Sequence, residues 1–401
     1  MPIGFMGKNP CLFPWVTAGR SLLWWTSMKS PARYIMIGGF LGAGKTTAVS
    51  KLAAHLTAAG RRVGLITNDQ GRELVDTKML RSQGFATEEI PGGCFCCRFN
   101  SLVDAAGKLT AGTQPDVFIA EPVGSCTDLV ATVTYPLRRM YGADFSIAPV
   151  SVLVDPIRAQ RVLGLAEGGN FSSKVTYIYR KQLEEADEIV VNKSDLLEPE
   201  ALAALMEALA REFPLARVRH VSCRTGEGLE DWFAALEHGT HAGRATMEVD
   251  YDVYAEGEAL LGWLNATVRV AAPDGVDADT LIHALATALH AGLREQGAEV
   301  AHLKMTLSPD NSLSGEIAAV NLVRNDFVPE LSQRLDDDIT GAQIIVNLRA
   351  EAAPENLEQE LRAVVAAGLA GAEGAGLTIE HLEFFRPGRP EPTHRDVVAA
   401  G

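Results

Sequence analysis

Residues Arg33 to Thr47 read RYIMIGGFLGAGKTT, and no other stretch restricts the fold as tightly. The apolar run Tyr34-Ile35-Met36-Ile37 has the composition of a buried parallel strand. Gly39-Phe40-Leu41-Gly42-Ala43-Gly44-Lys45-Thr46 then matches G-x-x-x-x-G-K-[ST] at every fixed position. Glycines let backbone N–H groups converge on phosphate oxygens without a Cβ in the way, and the N-terminus of the following helix adds its dipole. A nucleotide phosphate is therefore expected along Gly39, Gly42, Ala43, Gly44, Lys45, Thr46 and Thr47. Lys45 would neutralise the β- and γ-phosphates, and the Thr46 hydroxyl would ligate Mg²⁺. The helix runs from Thr47 to Ala59 and stops at Gly60.

Alternation of short apolar strands with helical stretches continues beyond it. Strands are expected at Arg61–Thr67, Pro115–Ala120, Pro149–Val154, Glu188–Val191 and Val218–Ser222. Helices are expected from about Cys97 to Leu109 and over Ser172–Asp187, Glu200–Glu212 and Leu229–Leu236. That order implies an α/β fold, a doubly wound parallel sheet covered on both faces. The pattern changes after a polar stretch near His238–Gly257. Strands over Leu260–Val270, Val300–Leu307, Ile317–Val323, Ile344–Leu348 and Leu377–Phe384, with helices over Ala278–Gln296 and Leu357–Ala370, imply a smaller α+β sandwich near a ferredoxin-like arrangement. The resulting division is a loose extension over 1–30, a P-loop domain over 31–240, a linker over 241–257, an α+β domain over 258–386 and a tail over 387–401. Met28 is an alternative start.

The formal net charge of -15 argues against a polyanionic partner, so nucleic acid is not expected. No apolar run reaches 18 residues, which argues against a membrane span. Three of the six cysteines, Cys94, Cys96 and Cys97, crowd into four positions. This suits metal binding or redox chemistry in a reducing cytoplasm better than a disulfide framework, although buried inert thiols remain an alternative.

Asn192-Lys193-Ser194-Asp195 follows an apolar strand and selects the base. A carboxylate at Asp195 accepts from the N1–H and exocyclic amine of guanine, which adenine does not offer, and the discrimination is worth about 100-fold. Ser222 and Cys223 lie where a loop could support the guanine O6. Glu121, at the end of the Pro115–Ala120 strand, could hold Mg²⁺ through water or orient the attacking water. The strand ending at Asn68-Asp69 also points its end at the nucleotide. Lys45, Glu121 and Asp69 are the candidate catalytic residues.

The set GGFLGAGKTT, GGCFCC, EPVG and NKSD resembles the CobW-like family of metal-handling GTPases, relatives of the urease and hydrogenase nickel-insertion GTPases. The resemblance covers Arg33 to about Leu236. It implies a SIMIBI-like, Mg²⁺-dependent, slow GTPase acting as a metallochaperone or insertase, with Zn²⁺ or Co²⁺ as cargo. It places the cargo on Cys94, Cys96 and Cys97 as thiolates, whose softness favours such metals over Mg²⁺. The partner implied is a client metalloprotein or a cofactor-pathway enzyme. The sequence departs from the family at Asn68-Asp69-Gln70-Gly71-Arg72, where N-E-F-G-E is usual; Asp69 is thus a tentative metal ligand, and Glu73 or Asp76 could compensate. His238 and His241 read as solvated linker residues, and His283 and His290 as ordinary helix residues. The second domain could dock the client, form a homodimer contact or cover the switch region. Two further readings stay open: a regulatory GTPase with structural cysteines, gating or recruiting an enzyme without handling metal, and an ATP-dependent kinase built on the same loop.

Overall fold

The structure is a computed structural model that describes residues 31–68, 75–241, 243, 246–310, 315–335, 337–368 and 374–397. Its first half is an eight-stranded sheet. The strands are β1 (Ala32–Gly39), β2 (Val63–Asn68), β3 (Thr87–Ile90), β4 (Val117–Glu121), β5 (Phe145–Ile147), β6 (Ser151–Val154), β7 (Glu188–Val191) and β8 (Arg217–His220). They lie in the order β3-β2-β4-β1-β6-β7-β8, with β5 beside β1, and every pairing is parallel. Alternation along β1 explains the layering. Ile35 and Ile37 pack against α1 (Lys45–Ala58) and α8 (Leu229–His238) through residues such as Leu52 and Trp232. Tyr34 and Met36 face the other layer, which includes α3 (Phe99–Thr113) and α6 (Ser173–Glu185). The doubly wound reading holds. β3, β5 and the helices α4 (Tyr135–Tyr141) and α5 (Pro156–Val162) are additions to it, because such short segments carry too few residues for a periodic signal.

The expected linker contains α9 (Tyr251–Leu260), capped by the Asp250 carboxylate, which accepts from the N–H groups of Asp252 and Val253. It packs against α6. The second sheet is wholly antiparallel. It comprises β9 (Leu261–Asp277), β10 (Glu299–Pro309), β11 (Ala318–Leu322), β12 (Glu330–Gln333), β13 (Asp338–Glu351) and β14 (Gly376–Phe385), in the order β12-β11-β10-β13-β9-β14. The helices α10 (Ala278–Glu295) and α11 (Pro354–Ala367) cover one face, where Leu264, Val268, Leu303, Met305, Val346 and Leu348 form the core.

The other face of this sheet is polar yet buried: His302, Asn265, Asn347 and Arg349 have between 0% and 6% of their surface exposed. The P-loop domain lies against it. α2 (Val75–Ser82), the first element after residues 69–74, donates its Val75 N–H to Asn347 Oδ1 at 3.0 Å. Arg349 lies over the Trp263 ring, 3.7 Å from its centroid, and donates to the Leu264 and Leu348 carbonyls. Arg158 of α5 spans the two halves, donating to the carbonyls of Leu41 and Val323 at 2.7 Å each.

Asp155, at the end of β6, completes this junction. It pairs with Lys193 at 2.9 Å and with Arg324 of the second domain at 2.6 Å. Burial alone would raise its pKa, but the two cations outweigh burial and hold it at about 2. Because that value lies below the unfolded one, the stabilisation is present above about pH 4 and is withdrawn as pH falls toward about 2. Asp155→Asn leaves two cations facing a neutral amide and is expected to cost about 3–5 kcal/mol at pH 7. Urea unfolding from pH 7 to pH 2 should show the wild-type and variant midpoints converging at the acid end.

Candidate nucleotide and metal site

The phosphate loop follows directly from its glycines. Gly44 has φ of 90°, and a Cβ there would lie 2.4 Å from Asn192 Nδ2; at Gly39, with φ of 128°, a Cβ would lie 2.3 Å from the Leu153 carbonyl oxygen. Neither position tolerates a side chain. Lys45 curls over the loop and donates to the Gly39 carbonyl at 2.9 Å. Thr47 is exposed, whereas Ala43, Lys45 and Thr46 are buried. Loop, base motif and second domain enclose a cavity of about 350 Å³, whose far wall includes Trp263, His302, Lys304 and Phe327.

At one end of that cavity four side chains meet at a single hydroxyl. Thr46 Oγ1 lies 2.8 Å from Asp76 Oδ1, 2.9 Å from Glu121 Oε1 and 3.3 Å from Lys304 Nζ. Lys304 also donates to both Asp76 oxygens, at 2.6 and 2.8 Å. Burial, with Asp76 as neighbour, pushes the Glu121 carboxyl up to about 7. Its Oε2 is buried without a hydrogen-bond partner among the described residues. An orphaned carboxylate oxygen beside a hydroxyl and a second carboxylate is a hard oxygen set of the kind that holds Mg²⁺. Asp76 therefore stands beside Thr46 and Glu121, while Asp69 and Glu73 lie outside the described residues. The sequence pattern does not reveal Lys304, which reaches this point only because β10 packs on the P-loop domain.

The base motif sits at the other end. Lys193, at φ of 56°, donates to the Gly42 carbonyl at 2.8 Å, and Asn192 Nδ2 donates to the Ala43 carbonyl at 2.9 Å. Asp195 accepts from the Ser222 hydroxyl at 2.6 Å. The Cys223 N–H, expected near the base, donates instead to Asn192 Oδ1 at 3.2 Å and so braces the motif.

Cys94, Cys96 and Cys97 fold into one cluster with all sulfurs within 4.8 Å, the only such group of candidate metal ligands among the described residues. The separations are 2.7 Å for Cys94–Cys96, 3.3 Å for Cys94–Cys97 and 3.6 Å for Cys96–Cys97, and all three thiols are free. Gly92 and Gly93 adopt positive φ to turn the loop, and Asn68 of β2 donates to the Gly93 carbonyl at 2.6 Å. Hydrogen bonds from neighbouring thiols hold the Cys94 pKa well below its usual value, and they push Cys97 up to about 11. One sulfur is thus disposed to be the thiolate while its neighbours keep their protons. The expected tail is a loop, and it lies on this cluster. Thr393 bonds the carbonyls of Cys96 and Cys97, the Glu391 N–H donates to Cys97 Sγ at 3.2 Å, and Arg395 pairs with Asp128 at 2.7 Å.

Of the histidines, His283 and His290 bond the carbonyls of Pro329 and Asn325, as ordinary helix residues do. His238 is exposed, but His241 is buried against Asp187 rather than solvated, because the chain around it tucks under β5. No described helix is long and apolar enough to cross a membrane.

Residues 33–218 match the family described as CobW/HypB/UreG, nucleotide-binding domain. The chain is 34% identical over 177 residues to the zinc chaperone YeiR of Escherichia coli K12, covering 42% of this chain and 49% of that one. It is 31% identical over 198 residues to the zinc chaperone CobW of a Sinorhizobium species, covering 44% and 54%. The matches thus span about half the length of these relatives. The Zn(II)-bound YjiA GTPase of E. coli superposes at a TM-score of 0.35 with 17% identity, covering 84% of this chain and 99% of that one, a likeness too loose to carry further argument.

The tail's seat on the cysteines has a direct test. Removing residues 387–401 uncovers Cys97, and its alkylation rate in the metal-free protein is expected to rise at least about tenfold, because local opening of the tail no longer limits access. Mass-spectrometric timing of labelling at Cys97 measures this.

Proposed function

Because residues 33–218 of this chain are a CobW-like P-loop GTPase domain, we propose that the protein is a GTP-hydrolysing metallochaperone of the cytoplasm, delivering Zn²⁺ to a client metalloprotein. Co²⁺ suits the same thiolates, and the relatives, named as zinc chaperones, favour zinc. The observation that carries the reading is a cluster of three free thiols on a loop that Asn68, at the end of β2, ties down through the Gly93 carbonyl.

Each residue has a role in this reading. The backbone around Gly39, Gly42, Ala43 and Gly44 binds the phosphates, and the Lys45 ammonium neutralises the β/γ end. Lys304 adds a second ammonium there. Thr46, Glu121 and Asp76 would hold Mg²⁺, which would offset phosphate charge. Asp69 and Glu121 are the candidates for orienting the attacking water. Asp195 accepts from guanine while Asn192, Lys193, Ser222 and Cys223 keep its loop in place. Cys94, Cys96 and Cys97 hold the cargo, and the loop that carries them is tied to the end of β2 through Asn68.

Linkage makes the reading testable without a client. If GTP reorganises the thiol loop, GTP and Zn²⁺ change each other's affinity by the same factor, commonly 5- to 150-fold, or about 1–3 kcal/mol. Zn²⁺ titrations with a non-hydrolysable GTP analogue and with GDP are expected to differ by at least about tenfold. Equal affinities would overturn the coupling and favour a regulatory GTPase with structural cysteines. Asp195→Asn is expected to weaken guanine nucleotide about 100-fold by equilibrium binding. Unchanged nucleotide choice would favour the kinase alternative.

A further inference from the structure

Strand β10 of the second domain meets the phosphate loop at two points. A Cβ built on Gly42 would lie 3.1 Å from the Ala301 carbonyl oxygen, and Lys304 Nζ lies 3.3 Å from Thr46 Oγ1. His302 falls between these contacts and shares a face of the strand with Lys304, because side chains alternate with a period of two. It is 6% exposed and lines the cavity at the loop, and its Nε2 has no hydrogen-bond partner among the described residues.

A second orphan stands in the same row. His302 of β10 faces Arg349 of β13, which in turn faces Trp263 of β9. Trp263 is 1% exposed and lines the same cavity, and its indole Nε1 also has no hydrogen-bond partner among the described residues. Leaving buried polar nitrogens unpaired is unfavourable, and two of them on one cavity wall mark a place built for a ligand.

The chemistry of the three side chains identifies that ligand. Burial, with Lys304, Arg349, Lys45 and Arg158 nearby, holds the His302 pKa well below its usual value, so the imidazole is neutral and can offer an N–H. An indole N–H is a donor only, and an ammonium is three donors with a charge. Two neutral donors and a cation suit an anionic oxygen cluster. They stand at the end of the cavity remote from the base motif, where the outermost phosphate of a nucleotide would lie.

We propose that His302, Trp263 and Lys304 form a terminal-phosphate subsite supplied by the second domain, so that GTP is distinguished from GDP across the domain junction. The proposal rests on the GTPase reading and extends it. Lys304 pairs with Asp76. Since Asp76, Thr46 and Glu121 would also hold Mg²⁺, an ammonium that shares Asp76 with that ion needs another anion within reach, and the γ-phosphate oxygens supply it. His302 and Trp263 donate to the same group. A diphosphate ends one phosphate short and leaves these donors without their acceptor, while the P-loop keeps its own contacts.

The test is equilibrium binding of a non-hydrolysable GTP analogue and of GDP, each with Mg²⁺, to the full chain and its variants. Trp263→Phe removes only the N–H and keeps a ring to lie beside Arg349 and Phe385. It is expected to weaken the analogue about three- to tenfold, and Lys304→Met at least about tenfold, with GDP affinity within about twofold of wild type in both. Lys304→Arg should restore part of the loss. Variants that weaken analogue and GDP equally, or neither, would overturn the subsite and leave these residues as packing whose nitrogens bind water. A wild-type chain that binds no guanine nucleotide would overturn the GTPase reading itself and this proposal with it. Should Lys304→Met fail to fold, Trp263→Phe decides alone.

Discussion

Both domains converge on the hydroxyl of Thr46. The P-loop supplies the threonine, β4 supplies Glu121, α2 supplies Asp76, and the second domain supplies Lys304. One ammonium and two carboxylates around one hydroxyl, largely shielded from water, form a balance that a metal–nucleotide complex must rearrange. Coulombic terms in such a place are several times their value in water.

The second domain is best understood from that junction. Its helix-covered face is an ordinary apolar core, but its other face carries His302, Lys304, Asn347 and Arg349 into the interior. Burying so many polar groups is unfavourable unless each finds partners, and most do so across the interface or along the sheet. Arg158, Asp155 and Arg324 add a second tie nearby. This sheet therefore covers α2 and one wall of the cavity at the P-loop. The second domain thereby builds the far wall of the cavity that the P-loop lines.

Much of the candidate site was legible in advance because its motifs are local. A phosphate loop needs glycines at fixed spacing from a lysine, and a guanine motif needs an acid at a strand end. Both sets of residues line one cavity. Cys94, Cys96 and Cys97 cluster because they share one turn. Lys304 and the tail could not be found this way. A lone lysine on a strand carries no spacing signal, and a Pro- and Arg-rich tail looks like any solvated terminus. Among the elements, β3 and β5 were missed because short strands have no measurable period, and α9 because its polar residues hide a helix that is capped and packed on α6.

The sequence by itself therefore determined the parallel-sheet domain, the glycine-rich loop after β1, the Asn192–Asp195 turn and the three-cysteine turn. Each of these is specified by residues close together in the chain, whose backbone and hydrogen-bonding needs have one local solution. Only the tertiary structure decided that the polar face of a distant sheet walls the cavity at the P-loop, that Lys304 joins Thr46, and that the tail lies on Cys97. Those placements depend on how two hydrophobic cores dock and on which buried polar groups can satisfy one another across the interface, and neither is encoded in any short stretch of residues.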